Sequence, residues 1–180
     1  MSSPTIMVVT GASGSGKTTL VKALEQRGLD GVRCFYFDSI GVPPTEEMVA
    51  QFGSPGAWQE AMTRRWIARL SRPENGMVIA VLDGQVRPSF VREAFHESGV
   101  QTGMVILIDC SHEAREARLR GPRDQPELAT RDMAAWAAYL RGQADALDLP
   151  IIDTTALSVE EATDVLAALV QHFPAIRPGS

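Results

Sequence analysis

The chain has 180 residues, 44% of them hydrophobic and 22% charged, a balance that excludes a disordered or fibrous protein and fits one domain with a real core. Seventeen Lys and Arg against 22 Asp and Glu give a formal net charge of −5 at pH 7. No whole-surface attraction to nucleic acid or to an anionic membrane is therefore expected, and any anion must be gripped locally.

In chain order, short apolar runs alternate with longer segments of helical period, which is an α/β pattern. The first run, Thr5 to Thr10, leads through a glycine-rich turn into a helix predicted from Lys17 to Arg27, with Leu20, Val21 and Leu24 on one face and Gly28 as its stop. Val32 to Phe37 is the second strand, followed by Asp38 to Pro55, a stretch rich in Gly and Pro that reads as irregular. Ser54-Pro55 opens a long helix in which Trp58, Met62, Trp66 and Leu70 recur as a core stripe, with Arg64, Arg65 and Arg69 pointing elsewhere. Strands follow at Met77 to Leu82, Met104 to Asp109 and Pro150 to Asp153, each read as buried on both faces because its apolar residues are consecutive. Ser111 caps a helix running to Arg118, Thr130 caps one running to Gln143, and Ser158 with Glu161 forms a capping box for the last. Gly121 to Thr130, with Pro122, Arg123 and Pro126, reads as a lid or substrate loop, and the tail after Phe173 as loose.

No repeat or linker divides the chain, so a single domain over 1–180 is expected, with a substrate-binding segment at about 38–72 and a short lid at about 121–130. No apolar run approaches the roughly 20 residues of a membrane-crossing helix, and Met1 to Thr10 lacks a basic start followed by a cleavable apolar stretch. Cys34 and Cys110 lie in or beside apolar runs, where reduced thiols are expected, and a cytoplasmic location follows from that usage.

Chemistry concentrates first at Gly11-Ala12-Ser13-Gly14-Ser15-Gly16-Lys17-Thr18. Placed between a strand and a helix, this is a complete P-loop pattern. The glycines let the chain curl so that successive N–H groups face one phosphate group, Lys17 adds a mobile positive charge, and the new helix aims its positive end at the same anion. Thr18 offers a hydroxyl to a magnesium ion that bridges the β- and γ-phosphates. Gly11 to Thr19 are thus the expected contacts for ATP, with Lys17 catalytic. A second acid near magnesium is expected from the end of a neighbouring strand, and Asp83 supplies it, although Asp83-Gly84 is also a common turn signal.

Asp83-Gly84-Gln85-Val86-Arg87-Pro88 resembles the Asp-Gly-Phe-Pro-Arg stretch of adenylate kinase and related nucleoside monophosphate kinases. The resemblance implies a three-layer α/β/α fold whose five parallel strands lie in the order 2-3-1-4-5, with Asp83 acting at magnesium and Arg87 touching an acceptor phosphate. Four arginines, Arg115, Arg118, Arg120 and Arg123, occupy a helix end and its exit, and they resemble the lid arginines of the same kinases, which stack on adenine and neutralise the migrating phosphoryl group. Arg118 and Arg123 carry that role here by resemblance; for Arg115 and Arg120 a solvated basic helix end is an equal alternative. Arg131 and Arg141 resemble the later arginine pair of the family, and Arg131 is counted among the substrate contacts.

The likeness to adenylate kinase fails after the second strand, where no Lys or Arg occurs between Asp38 and Ala61 to hold a phosphorylated acceptor. Kinases of the shikimate, gluconate and nucleoside types instead place an aspartate there to orient or deprotonate an acceptor hydroxyl, and Asp38 resembles it; a helix cap or loop bond is the alternative. Tyr36, Phe52, Trp58 and Arg65 are candidates for lining the acceptor pocket. The expected function is transfer of the γ-phosphoryl group of Mg-ATP to a small-molecule hydroxyl. The alternatives are a nucleoside monophosphate kinase and an ATPase or switch module acting on a partner, for which Gln85 would position water. A GTPase is disfavoured because the sequence has no Asn-Lys-x-Asp motif.

Overall fold

The structure, a computed structural model, describes residues 3–72 and 77–173; the tail expected to be loose lies outside them. Strand β1 (Thr5–Thr10) forms the centre of a five-stranded parallel sheet, with β3 (Ile79–Asp83) on one side and β4 (Gly103–Asp109) on the other. Strands β2 (Val32–Tyr36) and β5 (Ile151–Asp153) form the edges, so the order is β2-β3-β1-β4-β5, as the resemblance implies. Every residue of β1 is buried, whereas the edges are partly exposed. The expectation that every strand is buried on both faces therefore holds for the centre and fails at β2 and β5, where one flank of the strand meets solvent.

Alternation along β1 divides the core. Ile6 and Val8 pack with Leu82, Trp58, Trp66, Leu70 and Val91, under helices α3 (Pro55–Leu70) and α4 (Pro88–Glu97). Met7 and Val9 pack on the opposite face with Leu20, Leu24, Ile106, Leu166 and Val170, under α1 (Lys17–Gln26) and α7 (Val159–His172). A smaller cluster joins Leu107 to Ala137 and Leu140 of α6 (Arg131–Ala146), and α5 (His112–Arg120) follows β4. The side-chain caps expected at Ser111, Thr130 and Ser158 all form, the last as a reciprocal box with Glu161, and Ser54, at the expected opening of α3, caps that helix by accepting from the Ala57 N–H.

Two helices were not anticipated. Asp38 to Pro55 is not irregular throughout: it holds a 3-10 turn, Phe37–Ile40, and a two-turn helix α2 (Thr45–Phe52). Pro44 at the cap position, Glu46 and Glu47 in the first turn and Gly53 at φ 86° supply start and stop signals, but the flanking Gly and Pro mask them. Helix α4 begins at Pro88, whose missing N–H costs nothing at the first helical position. The supposed lid also contains a 3-10 turn, Pro126–Leu128, and its Arg123 and Gln125 amides bond back to Arg118 and Leu119. Cys34 and Cys110 are both free thiols, and burial, with Glu25 and Asp83 nearby, pushes Cys34 up to about 12, so it stays protonated.

The 3-10 turn after β2 is anchored from three sides. Trp66 Nε1 donates to the Phe37 carbonyl at 3.2 Å, the Phe37 ring meets Trp58 edge-on at 6.0 Å, and Phe37 lies so close to Gly84 that a Cβ there would fall 2.9 Å from Phe37 Cβ. Gly84→Ala should therefore push the turn outward and destabilise the protein by about 1–3 kcal/mol. Thermal unfolding should show a fall in Tm of roughly 3–10 °C for a chain of this size; an unchanged Tm would mean that Phe37 is not tightly seated.

Candidate active site

Parallel strands present their carboxyl ends at one edge, where ligands of such sheets bind. Here β1, β3 and β2 deliver the P-loop, Asp83 and Asp38 to that edge, and cross-links hold the exits together. Gly84 N–H donates to the Val9 carbonyl at 3.1 Å, while the buried Thr10 hydroxyl donates to the Val86 carbonyl at 2.7 Å and accepts from Val86 N–H at 3.2 Å.

Within the loop, Gly14 and Gly16 take φ of 83° and 95°, and a Cβ on Gly14 would fall 2.8 Å from Arg115 Cγ. Both positions thus require glycine. Helix α1 starts at Lys17 with no side-chain cap, so its first N–H groups face the loop hollow and remain available to an anion.

Lys17 Nζ forms an ion pair with Asp83 Oδ1 and also donates to Thr18 Oγ1 at 3.3 Å. Asp83 is only 4% exposed. An ammonium thus bridges a carboxylate and a hydroxyl, the hard oxygen donors that suit magnesium. No cluster of three or more His, Cys, Asp or Glu fit to hold a metal occurs among the described residues, so a cation here would complete its shell from phosphate oxygens and water, the usual habit of magnesium. The residues fit the ion.

A cavity of about 350 Å³ opens over this pair, lined by Ser13, Lys17, Thr18, Asp83, Asp38 and Arg123 among others. Asp38 stands on the 3-10 turn, exposed. Tyr36 borders the cavity too, its hydroxyl donating to Glu25 at 2.7 Å; burial and that bond raise its pKa and keep it neutral. Lys22 and Gln85 also line this cavity.

A second cavity, about 250 Å³, lies behind the loop and is bordered by Leu20, Pro122, Leu157 and Val159, with Arg118 and Arg123 at its polar edge. Arg118 is turned toward the loop backbone: Nη1 donates to the carbonyls of Gly14 and Ser15 at 3.3 Å and to Thr154 Oγ1 at 2.9 Å, and Nη2 to the Thr154 carbonyl at 2.7 Å. Thr154 Oγ1 in turn donates to the Ser15 carbonyl at 2.7 Å.

Not every predicted residue converges on these cavities. Arg87 donates to Gln59 Oε1 at 2.8 Å and lies 4.9 to 5.8 Å over the rings of Phe90, Trp136 and Tyr139, outside the lining of the first cavity. Arg131, the exposed first residue of α6, borders neither cavity. Arg115 is buried against Asp109 and the Cys110 carbonyl, Arg120 faces Glu116, and Arg141 spans Asp109 and Asp145. Of the four candidates for lining an acceptor pocket, Tyr36 borders the first cavity, whereas Trp58 and Phe52 pack in the core and Arg65 faces a separate cleft beside Ile40 and Arg69. Lys22, Gln59 and Thr154 were missed. Lys22 lies one turn beyond Thr18 and carried only a charge as a signal; Thr154 carried only its place just past a strand end, and Gln59 none.

No family model matches the sequence, and no curated protein matches it. Among solved structures the chain is similar to the tunicamycin resistance protein of Deinococcus radiodurans, with 19% identity over 93% of this chain and 95% of that one and a TM-score of 0.64. It is similar to a gluconokinase from Sinorhizobium meliloti 1021, with 18% identity over 96% and 95% and a TM-score of 0.61. It is also similar to a shikimate kinase from Acinetobacter baumannii, with 16% identity over 93% of each chain and a TM-score of 0.59. Identity at this level speaks for architecture, and the chain has the three-layer α/β/α fold of the P-loop small-molecule kinases.

Proposed function

We propose that the protein is an ATP-dependent phosphotransferase that moves the γ-phosphoryl group of Mg-ATP to a hydroxyl of a small-molecule acceptor. One observation carries this reading: a single cavity is lined by Lys17 and Thr18 of the P-loop, by Asp83 at the end of β3 and by Asp38 after β2. The two acids differ in surroundings. Asp83 is buried and paired with Lys17, whereas the exposed Asp38 carboxylate makes no hydrogen bond or ion pair to a described residue.

That difference suits two roles. Asp83 and Thr18 would supply oxygen donors to magnesium, which when bound would offset the negative charge of the phosphate groups. Asp38 orients the acceptor hydroxyl and takes its proton as the new O–P bond forms and the bond from the γ-phosphorus to the bridging oxygen breaks, ADP being the leaving group; a positioned carboxylate can do this when the transition state is loose. Lys17 serves the terminal phosphate, and Arg123, which borders both cavities, adds charge from the lid. Arg118 acts on the loop itself by holding its carbonyls away from the phosphate side. The more apolar second cavity suits a nucleobase.

Arg87 is engaged by Gln59 and three rings, which speaks against a phosphorylated acceptor and so against a nucleoside monophosphate kinase. The switch or ATPase reading keeps one support, since Gln85 shares the cavity; steady ATP hydrolysis indifferent to every small molecule would favour it. No helix among the described residues is long and apolar enough to cross a membrane.

Lys17→Ala should reduce transfer by at least about 10²-fold while the circular dichroism spectrum stays that of a folded chain, although the unpaired, buried Asp83 lowers its Tm; a fully active variant would displace the site. Asp38→Asn should lower kcat by about 10²–10⁴-fold while calorimetry with Mg-ATP gives a nearly unchanged Kd, and a parallel collapse of nucleotide affinity would instead place Asp38 at the magnesium. Limited proteolysis should find Gly121 to Thr130 protected by ATP. Equal cleavage with and without nucleotide would remove the lid role.

A further inference from the structure

Gln85 leaves β3 two residues after Asp83 and is held in two ways. Gln59 Nε2, from α3, donates to the Gln85 carbonyl at 3.0 Å, while Gln59 Oε1 accepts from both the amide N–H of Arg87 at 3.3 Å and its Nη1 at 2.8 Å. One carboxamide thus grips the chain on either side of Val86 and fixes the backbone that carries Gln85. The Gln85 side chain is set separately: its Oε1 accepts from the Ser13 hydroxyl of the P-loop at 3.2 Å. With the oxygen committed, the Nε2 group keeps its N–H donors, and no described residue accepts from them. Gln85 borders the same cavity as Asp38, Lys17 and Thr18.

We infer that Gln85 is a specificity-determining acceptor contact, its Nε2 donating to a second oxygen of the acceptor while Asp38 engages the reacting hydroxyl, and that Gln59 is the positioning residue that holds it. The inference rests on the kinase reading and deepens it. The two groups ask complementary things of a ligand: Asp38 accepts a proton, so it selects a hydroxyl, and Gln85 donates one, so it selects an oxygen lone pair. The acceptor class is therefore a compound with at least two oxygen substituents, a polyol or a hydroxy acid. A monohydroxyl compound would leave the Gln85 donors unmatched on binding, and sites built to hydrogen-bond an oxygen discriminate strongly against ligands that lack it. Committing the amide to an acceptor also removes it from the task of orienting water, which separates this role from the one that a switch protein would need.

The test begins with ADP release by the full chain across polyols, sugar acids and hydroxy acids, alongside monohydroxyl analogues. With the best acceptor, Gln85→Ala should raise the acceptor KM by about 10-fold or more, with the KM for ATP within about twofold of the parent. Gln85→Glu should penalise hydroxy acids more than polyols, because it sets a carboxylate against the acceptor's own, while a hydroxyl can still donate to it. Gln59→Leu should raise the acceptor KM without moving the KM for ATP, and adding it to Gln85→Ala should change the acceptor KM little further, since the two residues act as one unit. Should Gln59→Leu fail to fold, the two Gln85 variants carry the test. An acceptor KM unmoved by Gln85→Ala, or equal efficiency with monohydroxyl analogues, overturns this inference while the kinase reading stands. Failure of the parent protein to phosphorylate any acceptor overturns both.

Discussion

The site depends on the contact between the exits of β1 and β3. A P-loop can curl anywhere that glycines permit, but it becomes a phosphate-handling site only when an acid is brought beside its lysine. The register that pairs Val9 with Asp83 does this, and the Gly84 amide on Val9 with the two bonds between Thr10 and Val86 locks it. The Lys17–Asp83 ion pair is the result. Burial raises the stakes of that pair: Asp83 is almost fully enclosed, and a charge so placed is tolerated only while a partner neutralises it. Whatever draws Lys17 away must therefore leave Asp83 another way to be neutralised, a demand that an exposed acid would not make.

Arginines are spread through the fold by a division of labour. Arg118 braces the P-loop from behind, Arg115 closes the core beneath Gly14, and Arg87 is wedged among aromatic rings next to α6. Among the arginines of the described residues only Arg123, at the exit of α5, borders both cavities. Most of the guanidinium charge near the first cavity thus stabilises architecture, and beside Asp38 and Tyr36 the lining carries a lysine, Lys22, rather than an arginine cluster.

What the sequence reveals follows from how local each signal is. The P-loop, the strand alternation and the caps at Ser54, Ser111, Thr130 and Ser158 are encoded by neighbours a few residues apart, so they can be read directly, and the strand order follows from the resemblance at Asp83 to Pro88. Helix α2 was hidden because eight residues between Pro44 and Gly53 carry too few apolar positions to show a period. The arginines show the harder limit. Arg115 and Arg118 lie three residues apart on one helix, yet a single guanidinium meets Asp109 while the other meets the loop; their partners come from β4, β5 and the P-loop, and no spacing within α5 encodes that. Gln59 was invisible for the same reason, since its three bonds all cross from α3 to the β3 exit.

Thr154 lies 139 residues beyond Ser15, and its hydroxyl and carbonyl, shared with Arg118, form the rear support of the P-loop. During synthesis the loop emerges early, but its scaffold stays incomplete until the fifth strand has docked at the far side of the sheet. The conformation of the P-loop is thereby tied to a contact that spans most of the chain, and the loop reaches its final shape together with the closing of the sheet.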